Sequence, residues 1–235
     1  METNRNTTVI TQSPGKILVC GGYLIISPSY RGLIFNSDTY FKCEGKFLKL
    51  ENYSKQNSLK IVVMSEVFRK TFEYELLVDY DLTSNEVELK INQYEGEENR
   101  FIEYSIINSF YFFFMKNFDH IETIMCKFKG LIKESYLYLI LNADYRFYTF
   151  DEKMLTEFQH VKSKTGLGSS SGLICSLNTN IIVLLMTKIS ENFSLVDVCC
   201  INQMNKDDRT CILISAYFSN NQAQMKVLNL IIFYY

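Results

Sequence analysis

The chain has 235 residues, and its 24 Lys and Arg against 26 Asp and Glu give a formal net charge of −2. This length allows one domain or two small ones with a substantial core, and the charge balance excludes a strongly basic nucleic-acid-binding protein, though not a local basic pocket. With 47% hydrophobic and 21% charged residues, the composition is that of an ordinary globular protein.

The cysteines and the apolar runs bear on the compartment. The seven cysteines form no CxxC pair, and an odd count argues against a disulfide framework and against a zinc site. We expect them to be reduced and mostly buried, as in a cytoplasmic protein. Residues 1–11 lack the apolar stretch of a secretory signal, and the longest apolar runs fall far short of the roughly 20 residues that span a bilayer. We therefore expect no membrane span.

The first part of the chain is predicted to be mostly strand. Ile17–Ile26 is apolar and interrupted by Gly21-Gly22, which predicts a strand, a close turn and a second short element. Further strands with alternating apolar and polar residues are predicted at 33–45, 46–50, 59–64, 71–77 and 86–91. An antiparallel meander is the simplest way to assemble them.

Helical spacing begins at residue 99. Apolar and small residues recur at helical intervals from Ile102 to Phe110, which predicts an amphipathic helix over 99–117. The remaining predicted elements are a strand at 135–142, a loop or hairpin at 144–164, and two helices at 194–203 and 210–226. Interleaved strands and helices indicate an α+β fold.

The glycine- and serine-rich segment 166–172 is the most informative part of the sequence. It is predicted to be a loop that leads directly into a helix with an apolar stripe from Leu173 onward. Glycines admit a ligand close to the backbone, hydroxyls add donors, and the first N–H groups of a helix attract anions. Lys162 and Lys164 add positive charge. The pattern predicts a phosphate site; the alternative is a glycine-rich helix cap without a ligand.

Two common phosphate loops are excluded by the residues. No GxxxxGK[ST] run occurs, and Ser171 stands where GxGxxG requires glycine. A second segment strengthens the phosphate interpretation: Pro14-Gly15-Lys16 is followed by a short apolar strand and by Gly21-Gly22-Tyr23.

Together, these two segments resemble the GHMP kinases, which combine a PGK-type start with a GLGSS phosphate loop. Within that superfamily, Gly21-Gly22-Tyr23-Leu24 and the run from Lys164 to Ser170 are most similar to the eukaryotic phosphomevalonate kinases. Segments 99–103 and 139–150 also resemble the intervening helix and strand of that family.

The resemblance implies a GHMP kinase N-terminal domain, an α+β module of the ribosomal protein S5 domain 2-like type, over residues 1–227. It implies ATP and Mg²⁺ as cofactors, Lys16 as the catalytic residue that holds or polarises the phosphoryl acceptor, and Ser170 as the Mg²⁺ contact. The implied nucleotide-binding residues are Lys164, Gly166, Leu167, Gly168, Ser169, Ser170 and Ser171. Lys16 is expected to face the loop across a gap the size of a triphosphate.

The implied reaction transfers the ATP γ-phosphoryl to 5-phosphomevalonate, giving 5-diphosphomevalonate. Residues 221–227 still resemble the family, but 228–235 form a divergent apolar tail where family members continue with Gly-Ser-Gly-Phe-Asp-Val. Because that aspartate is a proposed catalytic base, and because the C-terminal GHMP domain is absent, we expect this chain alone to be inactive and to expose apolar surface. The alternatives are a non-catalytic nucleotide-binding fragment and another GHMP kinase, such as mevalonate kinase.

Overall fold

A mixed six-stranded sheet is the main element of the fold. The computed structural model describes residues 7–21, 29–50, 58–66, 69–81, 86–95, 98–150, 161–189 and 219. The strands of the sheet are β1 (Val9–Cys20), β2 (Leu33–Lys49), β3 (Ser58–Ser65), β4 (Lys70–Asp81), β5 (Glu86–Glu95) and β6 (Ser135–Ala143). Their order across the sheet is β1-β2-β6-β3-β4-β5.

Three α-helices, two short 3₁₀ helices (Phe118–His120 and Tyr145–Phe147) and a short hairpin complete the described part. The helices are α1 (Arg100–Lys116), α2 (Ile121–Glu134) and α3 (Ser169–Ile189), and the hairpin pairs β7 (Tyr148–Phe150) with β8 (Val161–Lys164). The α+β prediction is thus confirmed, as are the helix after residue 99 and the hairpin within 144–164. Asn99 caps α1, because its side chain accepts a hydrogen bond from the Ile102 N–H.

Burial explains why these segments adopt these structures. Alternate residues of β2, β3, β4 and β6 are buried on one face of the sheet, and the helices cover that face. The aromatic run in α1 lies in this core: Phe110 and Phe114 pack edge to face against Phe128 of α2. Helix α3 packs on α1, β1 and β2, so its first turn lies close to β1.

Three expectations about the sheet were wrong. The strands do not form a meander, because β6 lies between β2 and β3 and runs parallel to β3; the chain returns to the sheet centre after α2. The predicted strands 33–45 and 46–50 are one strand, since Gly45 continues the ladder opposite Leu139. The first strand begins at Val9 rather than Ile17, because the polar side chains of 11–16 lie on a strand that is only partly covered.

Some expectations lie outside the described residues: the element after Gly21, the helices at 194–203 and 210–226, and the tail at 228–235.

Helix α3 is long and apolar enough to cross a membrane by length and composition alone. Its most apolar window has a mean hydropathy of 1.6, and 78% of that window is buried inside the protein. A helix that is hydrophobic on nearly all sides and covered on nearly all sides is typical of a protein core. The helix is thus weak grounds for a membrane span.

The end of the β1–β2 ribbon where Cys20 pairs with Leu33 differs from the rest of the surface. It carries apolar side chains that are about half exposed: Ile17, Leu18, Val19, Leu33, Ile34 and Phe35. Apolar surface of this kind favours association.

Candidate anion-binding site

The first turn of α3 is where the predicted phosphate loop lies. The helix begins at Ser169, not at Leu173 as predicted, because the Gly172 N–H already bonds to the Gly168 carbonyl at 3.1 Å. The loop proper is therefore 165–168, and the three serines form the first turn. The N–H groups of that turn have no acceptor within the helix and lie at its positive end.

Two glycines shape the approach to this turn. Gly166 has φ +84° and Gly168 has φ +75°, a left-handed backbone that costs other residues about 1–2 kcal/mol. A Cβ on Gly166 would meet nothing within 4 Å, whereas one on Gly168 would lie 2.9 Å from Cγ of Lys16 and 3.0 Å from its Cε. Two features therefore favour glycine at position 168: its left-handed backbone and the close approach of the Lys16 side chain.

Lys16 of β1 joins the two sequence motifs. Its N–H donates to the Leu167 carbonyl at 2.8 Å, and its side chain is exposed and crosses over Gly168. The predicted proximity of Lys16 to the loop is therefore present. The expected gap is not, because the backbone hydrogen bond brings the stem of Lys16 into contact with Gly168.

The three serine hydroxyls have different partners. Ser169 is 5% exposed and hydrogen-bonds to the hydroxyl of Tyr148. Ser171 donates to the Gly168 carbonyl at 2.9 Å, while Ser170 accepts from Nζ of Lys164 at 3.1 Å. Among the three, Ser170 is the hydroxyl placed beside a cation, as expected of a residue near phosphate.

Several residues that support this site were not predicted from the sequence. Lys164 lies over the ring of Phe101, with Nζ 5.8 Å from the ring centre, a cation–π geometry. Thr165 is tied to the preceding turn, since its N–H donates to the Phe147 carbonyl at 3.0 Å and its hydroxyl to the Arg146 carbonyl at 2.7 Å. Phe101 belongs to segment 99–103, and the resemblance of that segment to the family was the one sequence feature that pointed to this residue.

Arg146 is not a free cation for a ligand. Its guanidinium donates to both carboxylate oxygens of Asp38 at 3.0 Å and to Asp144. These hydrogen bonds lower the pKa of Asp144 and raise that of Arg146. The positive charge of Arg146 is thus neutralised, and the exposed cations at the turn are Lys16 and Lys164.

Cys175 lies on α3 below the loop. Burial raises the pKa of its thiol, while the charge of Lys16 and a hydrogen bond with Ser13 lower it in part. The net direction is upward, so the thiol stays protonated and neutral at pH 7.

The described residues hold no cluster of three His, Cys, Asp or Glu side chains that could bind a metal. Nor, within that part of the chain, is a carboxylate bonded to Lys16, Lys164 or Ser170. A Mg²⁺ ion beside Ser170 would therefore take its other oxygen ligands from a bound phosphate or from beyond the described residues.

A cavity of about 590 Å³ lies elsewhere, along the outer side of α2 near Tyr80, Met125 and Lys129. Its lining includes none of the sequence-predicted site residues. Since its lining lacks the glycine turn and the helix N-terminus, we locate the anion site at α3 on chemistry rather than on cavity size.

Known proteins that resemble this chain were found only at the level of structure. No family model matches the chain, and no curated protein matches it. A crystal structure of the Lin0012 protein from Listeria innocua is similar to 93% of this chain, with 15% identity and a TM-score of 0.46. Streptococcus pneumoniae phosphomevalonate kinase, solved with phosphomevalonate and AMPPNP, is similar to 76% of it, with 17% identity and a TM-score of 0.36.

The chain spans less than half the length of both solved structures, 43% and 36% respectively. Because both TM-scores are below 0.5, we infer the function from the geometry of the site and from the sequence motifs.

Proposed function

We propose that this chain is the nucleotide-binding part of a GHMP-type small-molecule kinase, with ATP bound at the first turn of α3. The observation that carries the proposal is the contact between the two motifs: Lys16 bonds to Leu167 and lies on Gly168. Two segments about 150 residues apart in sequence (P-G-K and G-L-G-S-S) thus meet at one helix N-terminus, where an anion is favoured.

The residues present suit a polyphosphate. Left-handed glycines at 166 and 168 leave the backbone N–H groups unshielded, and the N–H groups of Ser169 to Ser171 lack helical acceptors. Lys16 and Lys164 place two positive charges at the same turn. Bound ATP would supply the phosphoryl group to be transferred, and the chain would supply its binding, orientation and charge neutralisation.

Within this proposal, each residue has a distinct role. Lys164 and the backbone of 166–171 hold the phosphates, and Ser170 is the ligand that the chain offers to Mg²⁺. Lys16 neutralises charge on the transferred group and the acceptor. The acceptor proposed from the motif resemblance is 5-phosphomevalonate: a bond forms between its phosphate oxygen and the γ-phosphorus, and the bond to ADP breaks.

A second candidate is nucleotide binding without catalysis. It is favoured because, among the described residues, the ion pairs include none between Lys16 and a carboxylate that could accept a proton from an acceptor. The two candidates share the site and differ in turnover.

Labelled ATP titrated into the chain with Mg²⁺ tests the shared site. Ser170→Ala is expected to weaken binding about tenfold, the usual effect of removing a hydrogen bond to a charged group. Thr187→Ala is the control, since it removes a hydroxyl near the other end of α3 that bonds to the Val183 carbonyl. Equal affinities of all three proteins, or no binding, would refute the proposal.

A coupled assay of ADP release, on this chain and on any longer product of its gene, separates the candidates. Turnover that depends on phosphomevalonate supports the kinase, and turnover with another small alcohol instead reassigns the acceptor. Tight ATP binding with no turnover on either supports the binding function.

A further inference from the structure

A buried asparagine on α3 bonds directly to the backbone of two strands. Nδ2 of Asn180 donates to the Val9 carbonyl at 2.9 Å and to the Cys43 carbonyl at 3.0 Å. Asn180 is fully buried, and Val9 and Cys43 belong to β1 and β2 respectively. One side-chain amide thus joins the helix that carries the candidate loop to the strand that carries Lys16.

The sheet has room for the Asn180 side chain because the neighbouring strand residue, Gly45, has no side chain. A Cβ on Gly45 would lie 2.0 Å from Oδ1 of Asn180, closer than any real contact permits. Gly45 sits within β2, a position where glycine otherwise weakens a strand. Its presence is explained by the asparagine that occupies the space beside it.

Asn180 is a costly residue if stability alone is considered. Among the described residues, its Oδ1 is buried without a hydrogen-bond partner, and such a group is usually destabilising relative to an apolar one. Its neighbours on α3, Leu177, Ile181 and Leu184, are fully buried apolar residues. Apolar contacts tolerate small shifts of a helix along a sheet, whereas hydrogen bonds to fixed carbonyls do not.

The ties between α3 and β1 form a series along both elements. Lys16 bonds to Leu167, the Thr11 hydroxyl donates to the Ser176 carbonyl at 2.7 Å, and Asn180 bonds to Val9. From residue 167 to 180 a helix rises about 20 Å, and from 16 to 9 a strand covers about 23 Å. The helix therefore runs antiparallel to β1, with the Asn180 hydrogen bond at one end of this contact and the loop at the other.

We propose that Asn180 is a positioning residue for the candidate loop: by fixing α3 lengthwise on β1 and β2, it holds Gly168 against Lys16. The effect on ATP rests on the proposed function, but the effect on the loop itself does not.

Asn180→Leu is the variant to test, because leucine has a similar branched shape and lacks the amide. Asn178→Leu is the matched control: it removes the same group from a fully buried position of the same helix, where Asn178 donates to the Ser219 hydroxyl at 3.1 Å. The N–H groups of Lys16 and Gly172 bond to the loop carbonyls of Leu167 and Gly168, so their exchange reports opening of the loop. Backbone amide exchange at these two residues is measured by NMR for both variants and for the unaltered chain, together with the ATP dissociation constant and the thermal midpoint. Exchange in loops reports local opening rather than global stability.

Asn180→Leu is expected to keep the fold, to raise exchange at Lys16 and Gly172 about tenfold and to weaken ATP binding by a similar factor. Asn178→Leu is expected to leave both within about twofold of the unaltered chain, as independent sites do. If Asn180→Leu does not fold, Asn180→Ala serves in its place.

Equal exchange at Lys16 and Gly172 in the two variants would overturn the positioning role, whatever their thermal midpoints. If the unaltered chain does not bind ATP, the proposed function fails, and the exchange rates still decide whether Asn180 positions the loop.

Discussion

Substituting alanine at Gly168 and, separately, at Gly166 tests how the loop meets Lys16. Both glycines have a left-handed backbone, with φ of +75° and +84°, so each substitution is expected to cost about 1–2 kcal/mol of backbone strain. They differ in what the new Cβ meets. At Gly166 it meets open space, whereas at Gly168 it lies 2.9 Å from the Lys16 side chain and 3.2 Å from Oγ of Ser171.

Two assays measure the difference. Urea unfolding should give Gly166→Ala and Gly168→Ala losses of stability within about 1 kcal/mol of each other, because the stem of Lys16 is flexible and moves aside at modest cost. ATP affinity should fall by about fivefold or less for Gly166→Ala, and by roughly a further tenfold for Gly168→Ala, since only the latter displaces the lysine.

Lys16→Met supplies the reference for this comparison, because methionine keeps an unbranched stem and removes the charge. In that background, Gly166→Ala and Gly168→Ala should weaken ATP binding equally. If Gly168→Ala weakened ATP binding no more than Gly166→Ala does with Lys16 present, the placement of this lysine on the loop would be wrong.

Four further outcomes are expected. Gly45→Ala should lose about 1–3 kcal/mol of stability through overpacking, because its Cβ would lie 2.0 Å from Asn180 and 2.8 Å from Leu139. Adding Asn180→Ala should restore part of the lost stability. If the two losses measured by urea unfolding were additive, the contact between the two residues would be contradicted. Arg146 lowers the pKa of Asp144. The ionised Asp144 side chain therefore contributes to stability above its unfolded pKa of about 3.9, and this contribution is lost as pH falls through the lowered folded value. Asp144→Asn should destabilise the protein at pH 7 and have little effect well below pH 3, as measured by thermal unfolding. Burial raises the pKa of Cys43. The protonated thiol therefore contributes its full stability to the fold below the unfolded pKa of about 8.5, and this contribution declines as pH rises above that value. The unfolding midpoint of Cys43→Ala should change less between pH 7 and 10 than that of the unaltered chain. Phe35 is 55% exposed on the apolar ribbon, so Phe35→Lys should reduce self-association in light scattering, and an unchanged particle size would count against this surface as its cause.

Much of the secondary structure follows from local patterns. Alternation predicts β3 and β4, because one face of each is buried and the other is not. Helical spacing together with Asn99 as a cap predicts α1. Helix α2 is the element that the sequence prediction lacks, although Ile121, Ile124, Met125, Phe128 and Ile132 are spaced to bury one helical face.

The order of the strands could not be read from local patterns. That β6 pairs with both β2 and β3 depends on contacts between residues about 75 to 100 positions apart in sequence. Alternation specifies which face of a strand is buried, but not which strand lies beside it. The start of α3 at Ser169 likewise depends on tertiary contacts, since serines and glycines favour loops and caps in isolation.

The site was predictable in its parts and less so in its geometry. Lys16, Gly168 and Ser170 are singled out by their motifs, and the first two are in contact. The inward position of Ser169 against Tyr148 and the place of Phe101 under Lys164 depend on the packing of distant elements. Asn180 gives no motif signal at all, because a single asparagine in an apolar helix acquires its meaning only from the strand carbonyls beside it.

The central claim is that the first turn of α3, with Lys16, binds the phosphates of a nucleotide. A titration of the isotope-labelled chain with Mg²⁺ and ATP, followed by backbone amide NMR, tests it most directly. The account predicts that the largest saturable shifts occur at the amides of residues 166–171 and at Lys16, and that inorganic triphosphate reproduces them. Shifts that concentrate along α2, or none at all up to millimolar ATP, would contradict it.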